Sequence, residues 1–226
     1  MIYFFPGFLQ DDRDKVAEIV TNTYGLNLPF EINQVSLNEM ILKPHTFKVW
    51  KKNLNENSII LAYSMGGRFI LSKLAELHFP FKKIILISAH IGIEDQIEKM
   101  KRTTFENEII TNLQLLADKD FLSYWNNLSL FKNDASRDRM PTQSREELIW
   151  MFQSLRLSRQ THYKDLISKY CDKLIYLHGS SDLVYSQIAL EYENLGVERI
   201  SLPNLSHRLI NSPQCWNKIK EILLND

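Results

Sequence analysis

The stretch IILAYSMGG, residues 59–67, constrains the fold of this chain more than any other. A run of apolar, strand-forming residues stops at Ser64. Two glycines follow, and GGRFILSKLAELHF then carries Phe69, Ile70, Leu74 and Leu77 on a helical stripe. A chain that passes from strand to helix within one residue turns so sharply that small residues are needed two before and two after the serine, and Ala62 and Gly66 meet that demand. Ala62 departs by one methyl group from the glycine usual at its position. The helix that begins after Ser64 aims its positive N-terminal end at whatever the serine touches, which makes the Met65 N–H a candidate oxyanion donor. The plainer alternative is a serine that only caps a helix.

The flanking sequence repeats the strand-then-helix rhythm. IYFF is a short buried strand stopped by Pro6 and Gly7, and DDRDKVAEIVTNTYG places Val16, Ile19 and Val20 at helical spacing before Gly25. A weak strand is expected in EINQVSL, and a helix around Phe47, Val49 and Trp50. KKIILISA and DKLIYLHG are strands buried on both faces, ALEYENLG is a helix, VERISLP a short strand and CWNKIKEILL a closing helix. Such alternation predicts a mostly parallel central sheet with helices on both faces. From about residue 93 to residue 168 only helical patterns occur, as in NEIITNLQLLA, DFLSYWNNLSLF and SREELIWMFQSLRL. This predicts a helical cap insertion over the C-terminal edge of the sheet, within one domain spanning residues 1–226.

Composition excludes several functions. Lys+Arg and Asp+Glu are equal at 27 each, so no overall field favours nucleic acid or an anionic membrane, and an anionic partner must be met by locally placed cations. Cys171 and Cys215 are isolated, which signals neither a zinc site nor a disulfide framework. MIYFFPGFLQDDRDK lacks a basic leading region, and Pro6 with Gly7 breaks its apolar run; a cytoplasmic location is expected.

An activated serine needs a base and an acid, and two late strands supply candidates in the right order. Asp182 follows KLIYLHG, and His207 follows VERISLP. The loop after the first strand, PGFLQ, offers the N–H of Phe8 or Leu9 as a second oxyanion donor, with Gly7 allowing close approach. His90 and His178 lie at strand ends where they could line a pocket; His45 and His78 sit on or beside helices, and His162 falls in the insertion. No HxH or HExxH spacing occurs, so no metal is expected.

With PGFLQ, AYSMGGR, HGSSD and SH in this order, the chain resembles the α/β-hydrolase superfamily over nearly its whole length. YSMGGRF resembles the elbow of the menaquinone-pathway 2-succinyl-6-hydroxy-2,4-cyclohexadiene-1-carboxylate synthases, FLSYWNNLSLF their cap segment, and SLRLSRQTHYKDL their return from cap to core. The resemblance implies a lyase that eliminates pyruvate from a small anionic substrate, without cofactor. Ser64, His207 and Asp182 would move the proton while N–H groups of Met65 and the Phe8–Leu9 region hold an enolate oxygen. It also implies that Arg68 and Arg102 bind substrate carboxylates, with Arg156 or Arg159 as looser candidates and Tyr63 and Trp125 closing the pocket. The same triad would serve a carboxylesterase or thioesterase acting on a small or carrier-linked acyl ester, and an acyl carrier protein could then dock on the basic stretches KKNLNENS or EKMKRTT. A binding protein with a vestigial triad is the third alternative.

Overall fold

A computed structural model describes residues 1–10 and 31–225 of the chain. The helix expected over residues 11–25 lies outside the described residues. Six strands are present among those described: β1 (Ile2–Phe5), β2 (Ile32–Gln34), β3 (Ile59–Tyr63), β4 (Lys83–Ile87), β5 (Leu174–Gly179) and β6 (Glu198–Leu202). All pairings are parallel and the order is β2-β1-β3-β4-β5-β6. β3, which leads to Ser64, is therefore interior, with Phe5 of β1 opposite Ala62 and Leu86 of β4 opposite Ala62 on the other side.

The period-two alternation of these strands divides the core. Tyr3, Phe5, Ile60, Ala62, Ile84, Leu86 and Tyr176 face one side of the sheet. Ile2, Phe4, Leu61, Tyr63, Ile85, Ile87 and Leu177 face the other. Both sets are buried, as the unbroken apolar runs in the sequence require. The first face carries α1 (Leu37–Leu42), α2 (Pro44–Trp50), α3 (Met65–Leu77) and α8 (Leu183–Asn194), and the second carries α9 (Pro213–Leu224) through Cys215, Trp216 and Ile219. The ends of α9 follow from its sequence: Ser212 accepts from the Gln214 N–H as N-cap, and Pro213 takes the first helical position, where no N–H is needed.

Between β4 and β5 the described chain holds no strand. It forms α4 (Gln96–Leu115), α5 (Asp118–Asn126), α6 (Arg145–Ser154) and α7 (Lys164–Lys169), with single 3-10 turns at Ser129–Phe131 and Leu157–Arg159. Capping signals set the boundaries: Asp95 accepts from the Glu98 N–H, and Ser144 and Glu147 form a reciprocal capping box. Ile109, Leu113, Phe121, Trp125, Leu148 and Phe152 join the core of the first sheet face. Each such side chain contributes roughly 1.5–3 kcal/mol by leaving water. The two ends of the insertion meet, because the Tyr163 N–H donates to the Ile91 carbonyl at 3.0 Å. No helix among the described residues is long and apolar enough to cross a membrane.

Candidate active site

Ser64 sits between β3 and α3 with φ 51 and ψ −110, a conformation that no continuing strand or helix would give it. Its N–H donates to the Ile87 carbonyl at 2.8 Å, tying the turn to β4. The small residues around it have distinct reasons. A Cβ on Gly66 would lie 2.5 Å from the carbonyl oxygens of both Phe5 and Pro6, so this glycine lets the start of α3 cross the exit of β1. Gly67, not Gly66, faces Ala62: a Cβ there would collide with the Ala89 methyl group and come within 3.1 Å of the Ala62 carbonyl.

The two residues read as partners of Ser64 are brought to it. His207 Nε2 lies 3.1 Å from Ser64 Oγ, and His207 Nδ1 lies 2.9 Å from Asp182 Oδ2. Asp182 is also the N-cap of α8, its Oδ1 accepting from the Tyr185 N–H at 3.1 Å. One carboxylate oxygen thus holds the helix and the other holds the imidazole. The carboxylate accepts only, so the network assigns the imidazole proton to Nδ1 and leaves Nε2 free to accept from the serine hydroxyl. The loop that carries His207 sits close to β5 because Gly179 has no side chain; a Cβ there would strike the backbone of Leu205 and Ser206. Tyr63 donates its hydroxyl to the His207 carbonyl at 3.2 Å, and the rings of Tyr185 and Phe131 pack on the imidazole at 4.5 Å and 5.6 Å between centroids. Both His207 and Asp182 are buried.

Ser64 and His207 open into a cavity of about 760 Å³ under the inserted helices. Phe8 and Met65 line it, whereas the Leu9 side chain is packed in the core and its backbone has φ 66. The loop after β1 meets the cavity at Phe8 and Gln10. Trp125 closes one side, in edge contact with Phe8 at 5.3 Å and packed on Phe131 at 5.1 Å. The lining is electropositive: Arg68, Lys101, Arg102, Lys132, Arg137 and Arg208 face it, against Glu98, Asp138 and Asp182.

Arg68 is buried, and among the described residues no carboxylate pairs with it; its guanidinium donates to the Leu155 carbonyl. Burial lowers its pKa to about 10, with the charge of Arg102 acting in the same direction. It remains a cation at neutral pH. Arg102 is held by Glu106 at 3.0 Å and lies over the Phe105 ring. Arg159 is not brought to this cavity. Together with Arg156 it lines a second, smaller one.

Several contributors were not singled out from the sequence. Tyr185 lies three residues after Asp182, in the first turn of the helix that Asp182 caps, and that spacing was a usable signal. Arg208 directly follows His207; its backbone N–H donates to Asp134 Oδ1 at 3.0 Å and its guanidinium lies 4.2 Å from the Phe131 ring centroid. Phe131 and Glu106 reach their places only through the packing of the insertion. Of the histidines expected near strand ends, His90 lines the cavity, and burial followed by the charges of Arg68 and Arg102 lowers its pKa to about 3. His178 is buried beside Ser186 and does not line it. No cluster of residues suited to a metal occurs among the described residues.

No protein-family model and no curated protein matches the chain. Solved structures do. MenH from S. aureus superposes with a TM-score of 0.79 at 18% identity, covering 99% of this chain and 91% of that one. A carboxylesterase structure from the Thaumarchaeon Nitrososphaera gargenis gives a TM-score of 0.66 at 13% identity, over 99% of this chain and 88% of that one. A thermophilic esterase from Thermogutta terrifontis gives 0.58 at 11% identity, over 99% and 87%. The chain has the α/β-hydrolase fold.

Proposed function

We propose that the chain is a MenH-like lyase, which eliminates pyruvate from a cyclohexene bearing succinyl, carboxylate and enolpyruvyl groups. The observation that carries this reading is Arg68: a buried cation with no carboxylate partner among the described residues, in the wall of the same cavity as a hydrogen-bonded Ser64–His207–Asp182 set. A buried charge is tolerated when a partner neutralises it, and an anionic substrate is that partner. The fold likeness to S. aureus MenH supports the same reading.

In this reaction Ser64 passes its hydroxyl proton to His207 Nε2 as its oxygen takes the ring proton next to the succinyl ketone. The electron pair passes through the enolate and the ring to expel the enolpyruvyl oxygen, and the departing enolate takes the proton held on His207 to become pyruvate, which returns the imidazole to its neutral form. Asp182 holds the imidazole in the accepting tautomer and stabilises its charged form. N–H groups at Met65 and Phe8 hold the enolate oxygen, Arg68 and Arg102 hold carboxylates, and Tyr63 and Trp125 close the pocket. No cofactor takes part, and the enzyme works on a small cytoplasmic metabolite, not on nucleic acid or membrane.

A second reading is a carboxylesterase or thioesterase, for which the same 3.1 Å Ser64–His207 contact would produce an acyl-enzyme. The apolar wall of Phe8, Trp125 and Phe152 favours it for acyl chains, free or on a carrier protein. Pyruvate release from the intermediate prepared in situ separates the two. The lyase releases pyruvate, loses that activity in Ser64→Ala and Arg68→Ala, and turns over p-nitrophenyl esters feebly. An ester burst with no pyruvate would replace it with the hydrolase.

A further inference from the structure

The second cavity lies on the far side of Arg68, between α1, α3 and the segment that follows α6. Its volume is about 280 Å³. Arg156, at the end of α6, is 9% exposed and lines this cavity, yet no hydrogen bond or ion pair forms to its side chain among the described residues, and its Nε is fully buried without a partner. Gln160 lines the same space with its Nε2 also buried and unpartnered. Arg159 adds a second guanidinium. The carboxylate in the lining, Glu76, is engaged by Lys73 at 2.7 Å on the exposed side of α3. A buried guanidinium with an orphaned N–H is unfavourable unless an anion completes it, and the carboxylate in these walls, Glu76, pairs with Lys73 and not with Arg156 or Arg159.

The remaining wall is apolar, formed by Met40, Ile41, Phe69 and Leu155, with the partly exposed ring of Trp150 at its side. A cavity of roughly 150 Å³ accommodates a benzene ring, so this volume holds a ring-sized apolar group together with an oxyanion. We propose that this cavity is a binding site for a small organic oxyanion, its charged head on Arg156, Arg159 and Gln160 and its apolar arm against Trp150 and Met40. The site is separate from the Ser64 cavity and does not depend on the reaction carried out there; among the described residues only Arg68 belongs to both walls.

Phenyl phosphate and inorganic phosphate are the probes, and the Trp150 indole N–H resonance, identified by its loss in Trp150→Phe, is the reporter. Phenyl phosphate is expected to shift that resonance saturably in the wild type and to bind at least tenfold more tightly than inorganic phosphate. Arg156→Met, which keeps the side chain's length and removes its charge, is expected to weaken phenyl phosphate at least tenfold, and Arg156→Lys less. Arg159→Gln gives an independent second test should Arg156→Met not fold, with an expected loss of at least threefold. Absence of a saturable shift at Trp150, or unchanged affinity in both Arg156→Met and Arg159→Gln, would overturn the proposal. Equal binding of inorganic phosphate and phenyl phosphate would overturn the organic class of the ligand.

Discussion

At Ser64 the chain accepts a positive φ of 51, a conformation that costs on the order of 1–3 kcal/mol and persists only where its surroundings over-determine it. The Ile87 carbonyl fixes the serine N–H, and the glycines behind it admit the crossing of α3 over β1. Gly66→Ala places a methyl group 2.5 Å from two backbone oxygens, which cannot swing aside as the end of a flexible side chain would. Urea unfolding of this variant is expected to show a loss of at least about 2 kcal/mol. Ser64→Ala removes no packing atom of consequence, so its unfolding midpoint should match the wild type while turnover falls by roughly a thousandfold or more. Asp182→Asn is the more searching change. Its Oδ1 can still cap the Tyr185 N–H, but an amide N–H facing Nδ1 reverses the imidazole tautomer, so stability should be nearly kept and turnover reduced by roughly a thousandfold. Ser64 and Asp182 were legible in the sequence because each follows an apolar run that reads as a buried strand, and His207 because it follows the short, largely exposed edge strand β6 in the order the acid and base require. The reason for Gly66 was not legible, since it depends on where β1 passes, and nothing local in YSMGG records that.

At the scale of elements, the inserted helices are joined to the site by two polar clamps. Glu106, 1% exposed on α4, accepts from the Leu157 N–H at 2.8 Å, from the Ser158 hydroxyl at 2.6 Å and from Arg102 Nε at 3.0 Å. It thereby fixes the turn after α6 and aims Arg102 along the cavity wall. Glu106→Ala would leave buried N–H groups without an acceptor and release Arg102, so a loss of about 3 kcal/mol is expected, with an increase in KM for an anionic substrate larger than any fall in kcat. A variant whose KM stayed at the wild-type value would show that Arg102 does not meet the substrate. The second clamp is Arg208, which ties the His207 loop to the chain after α5 through Asp134, Asn126 and the Ala135 carbonyl. Helix positions in the insertion could be read from periodicity and caps, and Trp125 from its place in an aromatic segment. The faces those helices turn to one another could not, because contacts such as Glu106 to Ser158 join residues 52 positions apart. Arg159 shows the same boundary. The sequence offered its charge as a looser candidate for a substrate carboxylate, but the 3-10 turn at Leu157–Arg159 delivers it to the far side of Arg68.

For the molecule as a whole, the sheet separates two unequal cores, and the larger one reaches through the insertion to the cavity. Stability therefore couples to titratable groups in the cavity wall, and His90 is the histidine there whose pKa falls far on folding. Its Nδ1 accepts from the Gly92 N–H at 3.0 Å, which requires that nitrogen to be unprotonated, and Arg68 and Arg102 face the same space. Burial first, then these cations, lowers its folded pKa to about 3 from an ordinary value near 6.5. A histidine whose pKa falls on folding binds fewer protons in the native state, so its contribution is fully present above pH about 6.5 and is lost progressively as pH falls from there towards about 3. Between pH 7 and pH 5 this one group should remove on the order of 2 kcal/mol from the unfolding free energy. His90→Gln keeps a side-chain oxygen able to accept from the Gly92 N–H but cannot take up a proton. Urea unfolding at the two pH values should therefore show a smaller loss for His90→Gln than for the wild type, by about 2 kcal/mol. Equal losses in the two proteins would mean that folding leaves the His90 pKa near its ordinary value, and its surroundings would then have to be more hydrated than its burial implies.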